Sequence, residues 1–203
     1  MNYFVTGIDT DSGKTIVSAI LCEALQADYW KPIQAGTPRD TDTVSSLVSM
    51  SSFITYPETY LLNTPASPHA SAKIDGIHIS LNEFKIPKSN NPIIIEGAGG
   101  CLVPINDSDF VIDMINHLKA EVILVADLYL GSINHTLLTI EALHRRNLTV
   151  KGIIFNGDSN FESERIILHH SKLKCLLRIG KEPVINQAVV KKYAGQLKET
   201  WND

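Results

Sequence analysis

Five short apolar runs punctuate the chain: Tyr3–Thr6, Ala27–Trp30, Pro92–Glu96, Val122–Ala126 and Val150–Asn156. They are rich in Val and Ile and nearly continuous rather than alternating, the pattern of strands covered on both faces. Between them the apolar residues fall at helical spacing. Thr15–Gln26 carries Ile16, Ala19, Ile20 and Leu25, and Gly131–Arg146 carries Ile133, Leu137, Ile140 and Leu143. Asp109–Leu118 and Val184–Leu197 repeat the pattern less strongly. Strand followed by helix, repeated, predicts an α/β fold: a mostly parallel sheet with helices on both faces, joined by right-handed crossovers. Ser51–Asn91 contains prolines and no long period, which predicts loops and short helices packed over the sheet. There is no internal repeat, charge block or low-complexity linker, so no domain boundary is visible.

Composition narrows this picture. A chain of 203 residues, 44% apolar, buries roughly 70% of its unfolded surface and needs no disulfide or structural metal to hold together. With 18 Lys and Arg against 22 Asp and Glu, the net charge is −4, which supplies no general field for gripping nucleic acid or an anionic membrane. The apolar runs are strand-sized, far short of the ~20 residues of a bilayer span. The start, Met1-Asn2-Tyr3-Phe4-Val5, lacks the basic end and long apolar stretch of a signal peptide, so a cytoplasmic location is expected. The three cysteines, Cys22, Cys101 and Cys175, are odd in number and widely spaced, which suits reduced, packed thiols. The seven histidines show no ligand spacing for zinc. Any binding of phosphate must therefore be local.

In such sheets ligands bind at the carboxyl ends of the strands, so the loops after Thr6, Trp30, Glu96, Ala126 and Asn156 hold the candidate chemistry. The first, Gly7-Ile8-Asp9-Thr10-Asp11-Ser12-Gly13-Lys14-Thr15, leaves a strand and opens a helix, which is the context of a phosphate cradle. Its backbone N–H groups and the helix N-terminus would face an anion, Lys14 would reach the β- and γ-phosphates, and the Thr15 hydroxyl would ligate Mg²⁺. The strict pattern puts its first glycine where this chain has Ile8; Gly7 stands one residue early, so the loop is a variant. The second loop sends Lys31 from a strand end just before Pro32, and Asp42 follows near the head of a helix. Asp42 is either a helix N-terminal charge or a metal ligand. The third, Glu96-Gly97-Ala98-Gly99-Gly100, ends an apolar strand on a carboxylate opposite the phosphate loop, where nucleotide enzymes hold Mg²⁺. The fourth, Leu130-Gly131-Ser132-Ile133-Asn134-His135, opens a helix whose free N–H groups suit a carboxylate, although capping by Ser132 accounts for it equally well. In the fifth, Asn156 faces a base edge or forms a turn pair with Gly157.

Together with Pro65-Ala66-Ser67-Pro68-His69-Ala70 and Lys31-Pro32-Ile33-Gln34, these segments resemble the dethiobiotin synthetases, ATP-dependent ring-closing enzymes late in biotin synthesis, over residues 3 to 156. The resemblance implies one P-loop NTPase-like catalytic domain over residues 1–203, a three-layer α/β/α sandwich. It also implies a reaction. 7,8-Diaminononanoate takes up CO₂ as a carbamate, ATP phosphorylates it, and the second amine closes a ureido ring with release of ADP and phosphate. On that resemblance Lys31, Lys14 and Thr10 are catalytic, and Mg²⁺ is held by Thr15, Asp42 and Glu96. The nucleotide meets Asp11, Ser12, Gly13, Lys14, Thr15, Ile16, Asp42, Glu96, Gly97, Ala98, Gly99, Asn156 and Gly157. The substrate meets Thr10, Lys31, Ala35 and, through its carboxylate, Gly131, Ser132, Ile133 and Asn134 of a partner subunit, which makes the protein a homodimer with the substrate site at the interface. Two positions depart from the family: Ala35 stands where a Ser or Thr is common, and Leu177-Arg178-Ile179-Gly180 replaces a Gly-x-Ile-Pro turn near the adenine.

ParA/MinD-like ATPases share the expected fold but carry a second lysine early in the phosphate loop, where this chain has Asp9. Amidating enzymes of cobalamin synthesis add a glutaminase domain for which 203 residues leave no room. A regulatory nucleotide-binding protein without turnover has no use for Lys31 or the Gly-Ser-Ile-Asn-His turn.

Overall fold

The computed structural model describes residues 1–201. In chain order its elements are β1 (Tyr3–Gly7), α1 (Lys14–Leu25), β2 (Asp28–Trp30), β3 (Ile33–Ala35), α2 (Asp40–Leu47), β4 (Thr55–Tyr56), β5 (Tyr60–Leu62), α3 (Pro68–Asp75), β6 (Ile93–Gly100), α4 (Val111–Leu118), β7 (Glu121–Asp127), α5 (Ser132–Arg145), β8 (Val150–Asn156), α6 (Phe161–Ser171), β9 (Cys175–Ile179) and α7 (Gln187–Thr200). Seven strands form one sheet in the order β4-β2-β6-β1-β7-β8-β9, and every neighbouring pair is parallel. β1 sits where the order reverses, with β6 and β2 on one side and β7, β8 and β9 on the other, so the crevice beyond its carboxyl end is the natural binding place.

Alternation along the strands sorts the core into layers. Val5, Tyr29, Ile94, Ile123, Val125 and Ile154 face α1, α2 and α7, while Phe4, Ile93, Ile95 and Val122 pack against α4 and the segment leading to it. Leu124, Ala126, Ile153 and Phe155 meet Ile140 of α5 and Ile167 of α6. The same pairing fixes the level at which the chemistry leaves the sheet. Trp30 lies beside Ile95, and Val5 beside Glu96, so the loop after Gly7, the lysine after Trp30 and the Glu96 carboxylate emerge together.

The five expected strands and four expected helices are all present, with ends shifted by a few residues. The differences are informative. β6 runs on through the glycines to Gly100, because strand pairing to Gly7 continues where small residues allow close approach. The span Ser51–Asn91 holds not only α3 and a 3₁₀ turn at Leu81–Glu83 but also two strands. β5 pairs in parallel with β3 as a separate two-stranded sheet, and its Leu62 and the Ile33 of β3 are buried in the core. Cys175–Ile179 is a strand, where a turn near the adenine is expected. On α5 the buried face is Ser132, Thr136, Ile140 and Leu143, so Ile133 points outward, displaced from the core by smaller polar residues. All three cysteines are free thiols; Cys22 and Cys101 are buried and Cys175 is half-buried. Among the described residues no helix is long and apolar enough to cross a membrane.

Candidate active site

The phosphate loop is built around two positions where no side chain fits. A Cβ on Gly7 would lie 2.0 Å from Ser12 Oγ and 2.8 Å from the Asp9 carbonyl. Gly13 has φ of 91°, and a Cβ there would lie 2.2 Å from Asn156 Nδ2. The early Gly7 thus serves the variant loop by letting it fold back on itself. Ser12 is buried and its hydroxyl donates to the Asp9 carbonyl at 3.0 Å. Lys14, at the first turn of α1, curls back and donates to the carbonyls of Asp9 and Thr10, each at 2.9 Å. Burial, and then the nearby Lys31 ammonium, lower its pKa to about 8. An arriving anion would reverse that penalty by giving the lysine a charged partner.

Lys31 is buried beside the loop, and its ammonium has three acceptors: Asp40 Oδ2 at 2.7 Å, Glu96 Oε1 at 2.8 Å and the Gly97 carbonyl at 3.1 Å. An ammonium carries three N–H groups, so this set satisfies it. Burial alone would favour the neutral amine, but Glu96 and Asp40 outweigh it and raise the pKa above the ordinary lysine value. The Thr15 hydroxyl lies 3.1 Å from Asp40 Oδ1 and 3.0 Å from Glu96 Oε1. Asp40 owes its position to Gln34 of β3, whose Oε1 accepts the Asp40 backbone N–H at 3.1 Å and so caps the start of α2. Glu58 supports the same helix start, accepting from Thr41 Oγ1 at 2.7 Å.

These groups line a cavity of about 740 Å³. Of the expected residues, Thr10, Asp11, Gly13, Lys14, Thr15, Ile16, Lys31, Ala35, Glu96, Ala98 and Gly99 face it, together with Pro65, Ala66, Ser67 and Pro68. Ser12 and Gly97 stand behind its wall, shaping the loop and holding Lys31. His69 does not reach it; its backbone N–H goes to the Pro104 carbonyl.

One expectation changes. Asp40, not Asp42, is the helix carboxylate at the site. Residues two apart on a helix point roughly 200° away from each other, so Asp42 faces solvent and pairs with Arg39 at 3.4 Å. Asn156 touches the loop: its Nδ2 donates to the Ser12 carbonyl at 3.0 Å, and Gly157 N–H goes to the Ile179 carbonyl. Gly131, Ser132, Ile133 and Asn134 lie apart from this cavity, at the start of α5. Tyr29 and Asp40 are the two site residues that sequence reasoning misses. Tyr29 OH donates to Glu96 Oε2 at 2.9 Å, and the available signal was a tyrosine in the middle of a strand expected to be covered on both faces, whose hydroxyl must find a partner.

Thr15 Oγ1, Asp40 and Glu96 offer hard oxygen donors, and the Lys31 ammonium standing against the carboxylates shows that the place accepts positive charge. Among the described residues no group of three or more His, Cys, Asp or Glu gathers as a metal cage. Two carboxylates and a hydroxyl suit Mg²⁺, which keeps part of its shell for water and phosphate oxygens.

A family model described as an AAA domain matches residues 1–189. The chain is 55% identical over 201 residues to the ATP-dependent dethiobiotin synthetase BioD of Cytophaga hutchinsonii, covering 98% of both chains. It is 48% identical over 200 residues to the BioD of Christiangramia forsetii, covering 98% of this chain and 96% of the relative. Solved structures share the fold at low identity. The septum site-determining protein MinD of Pyrococcus horikoshii, complexed with Mg-ADP, superposes with a TM-score of 0.63 at 14% identity, covering 100% of this chain and 97% of that one. A ParA family ATPase of Chlorobium tepidum gives 0.59 at 16%, covering 98% and 96%.

The geometry separates the two aspartates of α2. With ADP present, Asp40→Asn should weaken Mn²⁺ binding at least tenfold in an electron paramagnetic resonance titration, while Asp42→Asn stays within about twofold of the parent. The opposite order would return the ligand role to Asp42.

Proposed function

We infer that this chain, which belongs to the ATP-dependent dethiobiotin synthetase family, runs its ring closure in the cavity between the phosphate loop and Lys31. It is an ATP-dependent ligase of biotin biosynthesis. The substrates are 7,8-diaminononanoate, CO₂ and ATP, and the observation that carries the reading is a pair of buried lysines, Lys14 and Lys31, flanking one cleft.

The chemistry explains why two cations are needed. One amine of the diamine adds to CO₂ and loses a proton, giving a carbamate anion. A carbamate oxygen then attacks the γ-phosphorus, its P–O bond forming as the bond to ADP breaks. The second amine attacks the carbonyl carbon of the mixed anhydride; the C–O bond to phosphate breaks, a proton leaves, and the ureido ring is closed. The attacking carbamate and the γ-phosphoryl are both negative, so charge stabilisation dominates the barrier. Lys31, which reaches the cleft from the end of β2 beside the phosphate loop, supplies that stabilisation; the carbamate is already an anion and needs no base. Lys14, drawn off the Asp9 and Thr10 carbonyls, follows the transferred phosphoryl. Thr10 and the wall of Ala35, Pro65 and Ser67 bound the space left for the diamine, and Ala35 leaves one hydroxyl fewer than the family commonly has. Asp11 to Ile16 and Gly97 to Gly99 cradle the nucleotide, with Asn156 and Gly157 bracing the loop from behind. Mg²⁺, held by Thr15, Asp40 and Glu96, would neutralise charge on the β- and γ-phosphates when bound.

The start of α5 serves a second copy of the chain. Leu130 is fully exposed and Ile133, Leu138 and Leu102 are also outward-facing, a set of apolar side chains that association would cover. In the resulting homodimer Gly131 to Asn134 take the substrate carboxylate in the partner's site. A ParA/MinD-like role is disfavoured by Asp9, which stands where those ATPases carry a lysine.

Supplied with 7,8-diaminononanoate, bicarbonate and Mg·ATP, the enzyme should form ADP and the ureido product only when the diamine is present; ADP release that ignores the diamine contradicts the reading. Lys31→Met should lower kcat by about 10²–10³ while ADP affinity holds within about fivefold. A parallel loss of ADP binding would make Lys31 a nucleotide ligand instead. Mixing Lys31→Met with Asn134→Ala protein should restore about a quarter of parental activity, since half of randomly exchanged dimers are mixed and each has one intact site of two. No recovery would remove the shared site.

A further inference from the structure

We propose that Tyr29 is a positioning residue for the metal-binding carboxylate: its hydroxyl pins Glu96 so that Oε1 alone is turned toward Thr15, Lys31 and the Mg²⁺ position. This rests on the metal site proposed above. The strand register produces the arrangement. Tyr29 of β2 pairs with Ile94 of β6, and Glu96 lies two residues further along the same face, within diagonal reach of a tyrosine ring. Tyr29 is fully buried, and its ring belongs to the core packed against α1. A phenylalanine would fill that space without carrying a hydroxyl out of water, so packing gives no reason for the oxygen. Among the described residues that hydroxyl makes one hydrogen bond, its donation to Glu96 Oε2 at 2.9 Å.

The two oxygens of Glu96 have divided work. Oε2 receives Tyr29, while Oε1 faces Lys31 at 2.8 Å and Thr15 Oγ1 at 3.0 Å. The last torsion of a glutamate is broad and nearly two-fold, so while Lys31 and Thr15 locate Oε1, it is the Tyr29 donor on Oε2 that fixes the turn of the carboxylate plane. Against a carboxylate oxygen, which only accepts, the phenolic O–H is the donor of this pair. Groups that orient a ligating carboxylate in this way typically change metal affinity 10–100-fold when removed.

The test is Tyr29→Phe in the full-length chain, with Mn²⁺ binding followed by electron paramagnetic resonance in the presence of ADP, and ADP affinity measured separately in EDTA. The expected result is a Mn²⁺ dissociation constant raised about tenfold or more with ADP affinity in EDTA within about twofold, and a KM for Mg²⁺ that rises more than kcat falls. In a Glu96→Gln background the same substitution should add nothing to the Mn²⁺ defect. Unchanged Mn²⁺ affinity in Tyr29→Phe overturns the role of Tyr29 while leaving the metal site standing. Equal losses of Mn²⁺ and metal-free ADP binding overturn it in favour of packing. A parent protein that binds no Mn²⁺ with ADP removes the metal site and this role with it.

Discussion

Two ammonium groups buried at the carboxyl end of a parallel sheet set the terms for everything around them. A charge out of water is tolerated only with partners, and Lys31 has Asp40, Glu96 and the Gly97 carbonyl. Each partner then needs its own support. Glu96 is held by Tyr29 and the β6 strand, and Asp40 by the Gln34 side chain at the head of α2. Gly97 leaves its carbonyl in place because β6 stays a strand beyond Glu96. The second lysine, Lys14, donates to carbonyls of its own loop, and burial, with the Lys31 ammonium nearby, lowers its pKa. One lysine is held by carboxylates and the other by neutral carbonyls, so an incoming phosphate meets its least compensated cation first.

Much of the fold was legible because the strands at its centre are buried on both faces and therefore read as unbroken apolar runs. β1, β6, β7 and β8 are of this kind. The elements that escaped detection are short or lie at edges. β4 has two residues and β3 and β5 three each, too few to show a period. β9 carries the exposed Arg178, which pairs with Glu164 and interrupts the apolar run. At the site, Lys14, Thr15, Lys31 and Glu96 were legible because each stands at a strand end or helix start with an unusual neighbour. Asp40 was not, since choosing between it and Asp42 requires the phase of α2, which Gln34 sets from another element. Asn156 reads in sequence as a base contact or a turn residue, and neither reading foretells that its side chain braces the phosphate loop, a contact made across 144 residues of sequence.

A ParA family ATPase and the septum site-determining protein MinD superpose on this chain at identities of 16% and 14%. The likeness is one of fold alone, and a shared fold leaves the reaction to the site built on it. In the function proposed above, what turns that frame toward ring closure is local: a lysine delivered by β2 instead of by the phosphate loop, Pro65 to Pro68 lining the same cavity, and an apolar helix start exposed on the outer surface. The fold supplies the nucleotide site, and the loops decide which anion attacks.

The claim at the centre of this account is that a carbamate oxygen attacks the γ-phosphorus. It is tested most directly by turning the enzyme over rapidly with ¹⁸O-labelled bicarbonate, before the label exchanges with water, and weighing the products. The account predicts one labelled oxygen in the released phosphate and one in the ureido carbonyl, with no label in phosphate when the diamine is omitted. Phosphate free of label in a complete reaction would contradict it.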